Sequence, residues 1–334
     1  MQETITTTPN KTKEPFTWQK FWKMLKKQNG WLFVMPALIL MAVFTFYPII
    51  NSLLLAFKEG YNGLTQGYDS IGFGNFRDII ANKGGVGANF VTCLENTLIF
   101  ALISVPISTI LALLISVALN SIKSLQKAYQ TIFFLPYLTN SLAMGAVFAT
   151  FFKVIGTQDN PETYGLVNDF LRLLGMDPIN WINIDFNGAF NPWLGRVVVI
   201  IFEIWSGLPF KILIIFSALQ NVGKQFYDAA KIDGANKYRI LTKITVPLIS
   251  PTLSYLLVTG IMGGLKSYSA IVGLFGPNMG PAGDFEMGTM VGYIYKCIDK
   301  GTLGLASAGS LILFAIIMVF TAINLYVSKK KVHY

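Results

Sequence analysis

Charge is scarce in this sequence. Only 13% of its 334 residues are charged, against roughly 25% in an ordinary globular domain. Hydrophobic residues make up 53%. A soluble chain of this length could not cover its surface with so few charges, so the apolar excess must face lipid. Histidine and cysteine are rarer still. There is one histidine, His333, and two cysteines, Cys93 and Cys297. No CxxC or HxxxH pair exists, which excludes a structural zinc or a metal hydrolase. A lone histidine at the C-terminal edge also argues against a membrane enzyme built on a nucleophile and a base. No Gly-x4-Gly-Lys-Ser/Thr stretch is present, so the phosphate loop of a nucleotide hydrolase is missing. The net charge of +9 is not arranged as a basic patch with interleaved stacking aromatics, so nucleic acid is not an expected partner.

What the chain does have is long apolar runs. A span needs about 20 apolar residues to cross roughly 30 Å of hydrocarbon. Four runs meet that test without a single charge: Trp31–Phe57, Thr97–Leu119, Tyr129–Phe152 and Leu303–Val327. Two more carry charge, Val197–Leu219 with Glu203 and Lys211, and Leu248–Phe275 with Lys266. The expected fold class is therefore an all-α integral membrane protein with six transmembrane helices.

The basic residues orient it. Segments 1–30, 120–128, 220–247 and 328–334 hold 16 Lys and Arg against 4 Asp and Glu. The alternate segments, 58–96, 153–196 and 276–302, hold 8 against 12. Basic loops stay in the cytoplasm, so both termini are expected inside a bacterial plasma membrane. The first run is too long for a signal-peptide core and no small-residue cleavage site follows it, so it reads as an anchor. Before it, Trp18, Phe21, Trp22 and Leu25 recur at helical spacing with lysines between them. That pattern predicts an amphipathic helix lying on the inner leaflet. The domain plan is then 1–30 as the cytoplasmic segment, 31–328 as the six-span domain and 329–334 as a basic tail. Both cysteines fall on the outer side, where two free thiols are expected.

One cytoplasmic loop is unlike the others. Residues 220–247 read as two short helices. The first runs from about Lys224 to Asp233 and stops at Gly234, which suits a left-handed cap. The second starts at Asn236 as N-cap and ends before Pro247. Ala229, Ala230, Gly234 and Ala235 leave little bulk near the turn, while Lys224, Lys231, Lys237, Arg239 and Lys243 rim it. A compact knuckle with a charged rim is what a helix-in-groove contact needs.

The spacing Asp228-Ala229-Ala230-x3-Gly234-x9-Ile244-x-Val246-Pro247 resembles the EAA loop of binding-protein-dependent ABC importer permeases. Every interval of that pattern is met. Asp228 replaces the family's glutamate and Val246 its leucine. The likeness extends from about Trp31 to Lys330 and is greatest to the sugar-permease branch, which includes the larger maltose permease subunit. It is carried by Trp31-Leu-Phe-Val-Met-Pro36, Tyr47-Pro48, Phe133-Phe-Leu-Pro136, Trp205-Ser-Gly-Leu-Pro-Phe210, Gly276-Pro-Asn-Met-Gly-Pro281 and Gly304-Leu-Ala-Ser-Ala-Gly309.

The resemblance implies a non-catalytic subunit forming half of a carbohydrate pathway. Its partners would be a second, different permease chain, two ATPase subunits and an external solute-binding protein. ATP and magnesium would be bound by the ATPase subunits and no cofactor by this chain. Asp228, Ala229, Ala230, Gly234, Ala235, Ile244 and Pro247 would dock the ATPase. Carried over onto this sequence, the substrate positions are Glu203, Ser206, Gly207 and Phe210, then Gly260, Gly264, Lys266, Ser267 and Tyr268.

Charged groups at membrane depth are costly and default to function. Glu203 and Lys266 either meet substrate or form an ion pair within the bundle, and Lys211 is expected to snorkel toward the cytoplasm. Hydroxyls and aromatic faces suit a neutral polyhydroxylated ligand. No arginine lies in any of the six runs, which makes a phosphorylated solute such as glycerol phosphate the lesser alternative. An ion-coupled secondary transporter is the other rival, although no internal repeat supports it.

Overall fold

The computed structural model describes Trp18 and residues 29–63, 65–81, 89–122, 126–156, 161–183, 190–281 and 285–331. Trp18 is helical and exposed. The remainder of the amphipathic segment and His333 lie outside the described residues. Within these bounds four helices are long and apolar enough to cross a membrane: Phe33–Ala56, Phe90–Ser121, Pro192–Gln220 and Leu303–Val327. Two bent pairs, Ala128–Leu138 with Ser141–Phe152 and Lys237–Leu248 with Ser250–Gly264, bring the number to six if each is one span.

The chain divides into two compact units, Met1–Leu54 and Leu55–Tyr334. In the first, α1 (Asn29–Met41) passes through a π turn (Ala42–Phe46) into α2 (Tyr47–Ala56). The π turn ends two residues before Pro48. A proline ring collides with the carbonyl four residues back and lacks an N–H to give it. A widened turn at that place removes the conflict without ending the helix.

The second unit begins with a small clasp. Strands β1 (Lys58–Glu59) and β2 (Ser70–Ile71) pair antiparallel, and the short helix α3 (Gly74–Ile80) follows. Glu59 holds the clasp together, accepting from Ser70 Oγ and from the Gly74 N–H, both at 2.6 Å. The Ser70 hydroxyl and then the Gly74 amide hold the Glu59 carboxyl below its ordinary range.

The centre of this unit is the contact between α4 (Phe90–Ser121) and α8 (Pro192–Gln220). Lipid tails are as apolar as leucine, so helices here associate through close packing and hydrogen bonds rather than a hydrophobic drive. The sequence of α4 supplies both. Ala101, Ser104, Ser108, Ala112 and Ser116 recur on its buried face, small enough for backbones to approach. Two hydroxyls bond within the helix, Ser108 to the Ser104 carbonyl at 2.6 Å and Thr109 to that of Val105 at 2.7 Å. Ser116 instead donates across the interface to the Ile212 carbonyl at 3.1 Å. Both helices run on through their internal prolines, Pro106 and Pro209.

Two of the predicted spans are broken instead. The third consists of α5 (Gln126–Phe134), a 3-10 turn (Leu135–Leu138) and α6 (Ser141–Phe152), with a bend of 99° between its halves. The fifth, expected as one run over Leu248–Phe275, is α12 (Ser250–Gly264) followed by a turn and then α13 (Ser269–Phe275). The second halves, α6 and α13, pack against each other. At their crossing Gly145 and Gly273 meet with no room for a Cβ on either.

The helix α14 (Met290–Asp299) lies on α15 (Leu303–Lys331). Cys93 and Cys297 are buried free thiols, and burial pushes the Cys297 thiol up from its ordinary value.

Candidate functional site

Two regions hold the residues singled out by the sequence. The first is the loop after α8. Helix α9 (Lys224–Ile232) closes in a Schellman motif. The Ala235 N–H reaches the Ala230 carbonyl at 2.9 Å, and the Gly234 N–H reaches that of Lys231 at 3.1 Å. This geometry requires a left-handed residue between the two bonds, and Gly234 supplies it at φ +70°. The chain then restarts as expected. Asn236 accepts the Arg239 N–H at 2.8 Å and caps α10 (Lys237–Ile240).

The second helix does not stop before Pro247. It continues through a π turn (Leu241–Thr245) into α11 (Val246–Leu248). This turn too ends two residues before a proline, the same device as at Pro48. The break comes at Ile249, where the chain bends 71° into α12.

The knuckle presents Asp228, Ala229 and Gly234 to the outside, with Ala235, Ile244 and Pro247 half-buried and Ala230 buried beneath. Asp228 and Lys231 sit 3.5 Å apart, both exposed, a pair worth well under about 1 kcal/mol in water. All five basic rim residues are exposed. Between the two helices lies a concavity of about 570 Å³, lined in part by Phe226, Ala229, Asp233, Arg239, Lys243 and Ile244. Ile232 at 87% and Tyr238 at 75% exposure flank Gly234. Both side chains are open to a partner surface. Their signal in the sequence is that they interrupt an otherwise polar turn.

The second region is a stripe along α8. Glu203, Ser206, Gly207 and Phe210 follow one another at i, i+3, i+4 and i+7, so they share one face over about 10 Å. At one end Ser267 donates to Glu203 Oε1 at 2.5 Å. The Ser267 carbonyl in turn accepts from Thr289 at 2.8 Å. Helices α8 and α14 and the turn between α12 and α13 therefore meet at Ser267.

Lys266 takes no part in this. Its side chain is exposed. Lys211 does not snorkel. It is buried, with Nζ donating to the Val105 carbonyl at 3.1 Å and to Ser108 Oγ. Gly207 and Gly260 border the Lys211 side chain at ordinary contact distance. A buried ammonium costs several kcal/mol unless such partners are supplied.

The other carried-over residues divide. Gly260 and Gly264, one turn apart on α12, approach Val105 and Ala101, one turn apart on α4; a Cβ on either would lie 3.0 Å or less from its neighbour. This is small-residue packing between helices. Tyr268 stacks on Tyr295 with ring centroids 4.5 Å apart. Trp205 belongs to an aromatic cluster with Phe148 and Phe202. At the far end of the stripe Phe210 stacks on Tyr137, 5.7 Å away, a residue that the sequence reading missed.

Arg196, one residue outside the run drawn over Val197–Leu219, lies within α8 and is buried. Its Nη2 pairs with Glu95 at 3.2 Å and its Nε donates to Asn96 at 2.9 Å. Asn96 also donates to the carbonyls of Glu286 and Gly288, so this arginine ties the end of the bundle. Among the described residues no group of His, Cys, Asp and Glu is arranged to hold a metal ion.

Comparison with known proteins bears on the chain as a whole. Residues 96–333 match the family described as binding-protein-dependent transport system inner membrane component. A probable ABC transporter permease protein of Mycoplasma genitalium is 31% identical over 303 residues, covering 89% of this chain and 82% of that protein. The lactose transport system permease protein of Rhizobium radiobacter is 27% identical, covering 91% and 95%. The arabinooligosaccharides transport system permease protein of Halalkalibacterium halodurans is 26% identical, covering 98% and 95%. Among solved structures, a bacterial alginate ABC transporter, in complex with an alginate pentasaccharide-bound periplasmic protein, has a chain with the same fold. It superposes with a TM-score of 0.75 at 23% identity, over 93% of this chain and 98% of that one.

Proposed function

The chain belongs to the family of binding-protein-dependent transport system inner membrane components, and from that premise we propose that it is the membrane-spanning permease subunit of an ATP-driven carbohydrate importer. The observation that carries the reading is the knuckle around Gly234. Its fixed intervals fold into an exposed, Schellman-capped turn with a concavity beside it, shaped to seat an ATPase subunit. Asp228, Ala229, Ala230, Gly234, Ala235, Ile244 and Pro247 make that contact. Carbohydrate is supported by relatives described as permeases for lactose, arabinooligosaccharides and trehalose or maltose. A pathway stripe of hydroxyls and aromatic rings suits such a ligand. Membership in this family disfavours an ion-coupled transporter.

In this reading the chain crosses a bacterial inner membrane six times. Both termini are cytoplasmic, on the argument from basic loops. Residues 31–328 form the membrane domain, 220–247 the coupling loop, and 1–30 and 329–334 the cytoplasmic ends. A second, different permease completes the path, two ATPase subunits bind ATP and magnesium, and a solute-binding protein delivers the sugar. ATP-driven closure of the ATPase pair draws the two loops together and turns the path outward. Ser206, Gly207, Phe210, Glu203 and Ser267 line the path, Tyr268 and Lys266 stand at the break in the fifth span, and Gly260 and Gly264 set how closely that span packs.

The test is reconstitution of the chain with its partner subunits and binding protein in liposomes, supplied with labelled lactose, maltose, trehalose and arabino-oligosaccharide. Uptake of at least one sugar with ATP, and none from the chain alone under an ion gradient, is the expected result. Uptake by the chain alone would overturn the reading. Ser267→Ala removes a hydroxyl and its hydrogen bond to Glu203, and Phe210→Ala removes an aromatic face. Each is expected to raise the KM for the transported sugar about tenfold. Unchanged values in both would move the substrate contacts to the partner permease.

A further inference from the structure

The third span contains an irregular segment that neither the coupling loop nor the substrate stripe explains. From Leu135 to Asn140 the backbone is not α-helical, and the two halves of the span meet at 99°. The break lies near the middle of the apolar run 129–152. Leu135, Tyr137, Leu138, Thr139, Asn140 and Ser141 are all exposed. Irregular backbone at membrane depth is not tolerated against lipid; it survives where it lines a water-filled path or is buried in protein.

The composition of the segment selects the path. Thr139, Asn140 and Ser141 form a polar run inside an otherwise apolar span. Two of them make local hydrogen bonds. Thr139 donates to the Pro136 carbonyl at 2.6 Å, and Asn140 caps α6 by accepting from the Leu142 N–H at 2.9 Å. These contacts support the bend from within the chain.

Tyr137 stands on this segment, at the Phe210 end of the stripe. Its ring lies over Phe210 with centroids 5.7 Å apart and planes 21° from parallel, and the Phe134 ring sits 5.3 Å away, tilted by 32°. Phe210 shares its helical face with Glu203, about 10 Å away. The stripe thus ends on a two-ring aromatic wall, of which the outer ring, Tyr137, is 51% exposed. An exposed phenol face with a hydroxyl at its rim offers what one pyranose needs, an apolar surface for its C–H face and a hydrogen-bond partner beside it.

We propose that Tyr137 is a carbohydrate-stacking residue on an aqueous path lined by the break in the third span. This rests on the permease reading above and adds a contact residue to it. Both native thiols are buried, so a new cysteine can be labelled selectively. Tyr137→Cys and Thr139→Cys, in the intact importer in liposomes, are expected to react with a membrane-impermeant methanethiosulfonate at least tenfold faster than Phe314→Cys, an exposed apolar site on α15. Equal or slower reaction at both positions, from lipid or from a covering partner subunit, overturns the proposal. In uptake, Tyr137→Ala is expected to raise the KM for the sugar the wild type carries about tenfold, and Tyr137→Phe no more than about twofold. An unchanged KM in Tyr137→Ala overturns the stacking role. Failure of the wild type to take up any sugar with ATP would instead count against the permease reading, and the labelling comparison would still decide whether the break faces water.

Discussion

Replacing Gly234 with leucine is expected to reduce ATP-driven uptake at least tenfold while the chain still inserts in the membrane. Two effects add at this position. Gly234 holds φ +70° inside a Schellman motif, and an L-residue there costs roughly 1–2 kcal/mol. The second effect is outside the chain. A Cβ at Gly234 meets nothing within 4 Å of its own protein, so a side chain stands out from the knuckle into the space an ATPase subunit would take. Co-purification of the ATPase with tagged permease, together with uptake in liposomes, measures the outcome. Gly234→Asn separates the two causes, because asparagine adopts the left-handed conformation more readily yet still adds bulk. It is expected to retain α9 and to fall between wild type and Gly234→Leu in ATPase recovery. Normal recovery and uptake in the leucine variant would remove the docking role from this turn.

A larger loss of folded protein is expected from Gly273→Val. Helices α6 and α13 cross where a Cβ on Gly273 would lie 2.5 Å from the Leu142 carbonyl oxygen and 2.9 Å from the Gly145 Cα. These are backbone atoms and cannot rotate aside, so the helices must separate. Overpacking of this kind costs about 1–3 kcal/mol for small additions, and a branched side chain adds more. The yield of monodisperse protein should fall at least fivefold, and the melting temperature in detergent should fall with it. Gly263→Ala is the control. It sits near the C-terminal end of α12 with open space at its Cβ, and alanine is favoured over glycine in a helix by about 1 kcal/mol. Its melting temperature should hold or rise. An unchanged Gly273→Val protein would mean that the two half-helices part readily.

These two glycines show what kind of information was legible. The role of Gly234 follows from neighbours within six residues, because a Schellman turn is a local object and demands its left-handed residue at a fixed offset. Gly273 carries no such mark; its constraint comes from Leu142 and Gly145, more than a hundred residues away. The same division holds for the charges. That Glu203 and Lys211 lie at membrane depth is plain from the apolar runs around them. Their partners were not. Glu203 pairs with Ser267 rather than Lys266, and Lys211 turns inward to Val105 and Ser108.

By itself the sequence determined the solvent, the approximate number of apolar runs and the helix-turn-helix around Gly234. Those depend on composition, on summed hydrophobicity over some twenty residues, and on short fixed intervals. Only the tertiary structure decided where the third and fifth spans break, which glycines are packing surfaces and which aromatic ring ends the stripe. Hydrophobicity measures how much a segment prefers lipid and carries no direction, so a straight span and one bent by 99° score alike. The bend and the pairing across it are set by groups that meet only when distant helices have packed.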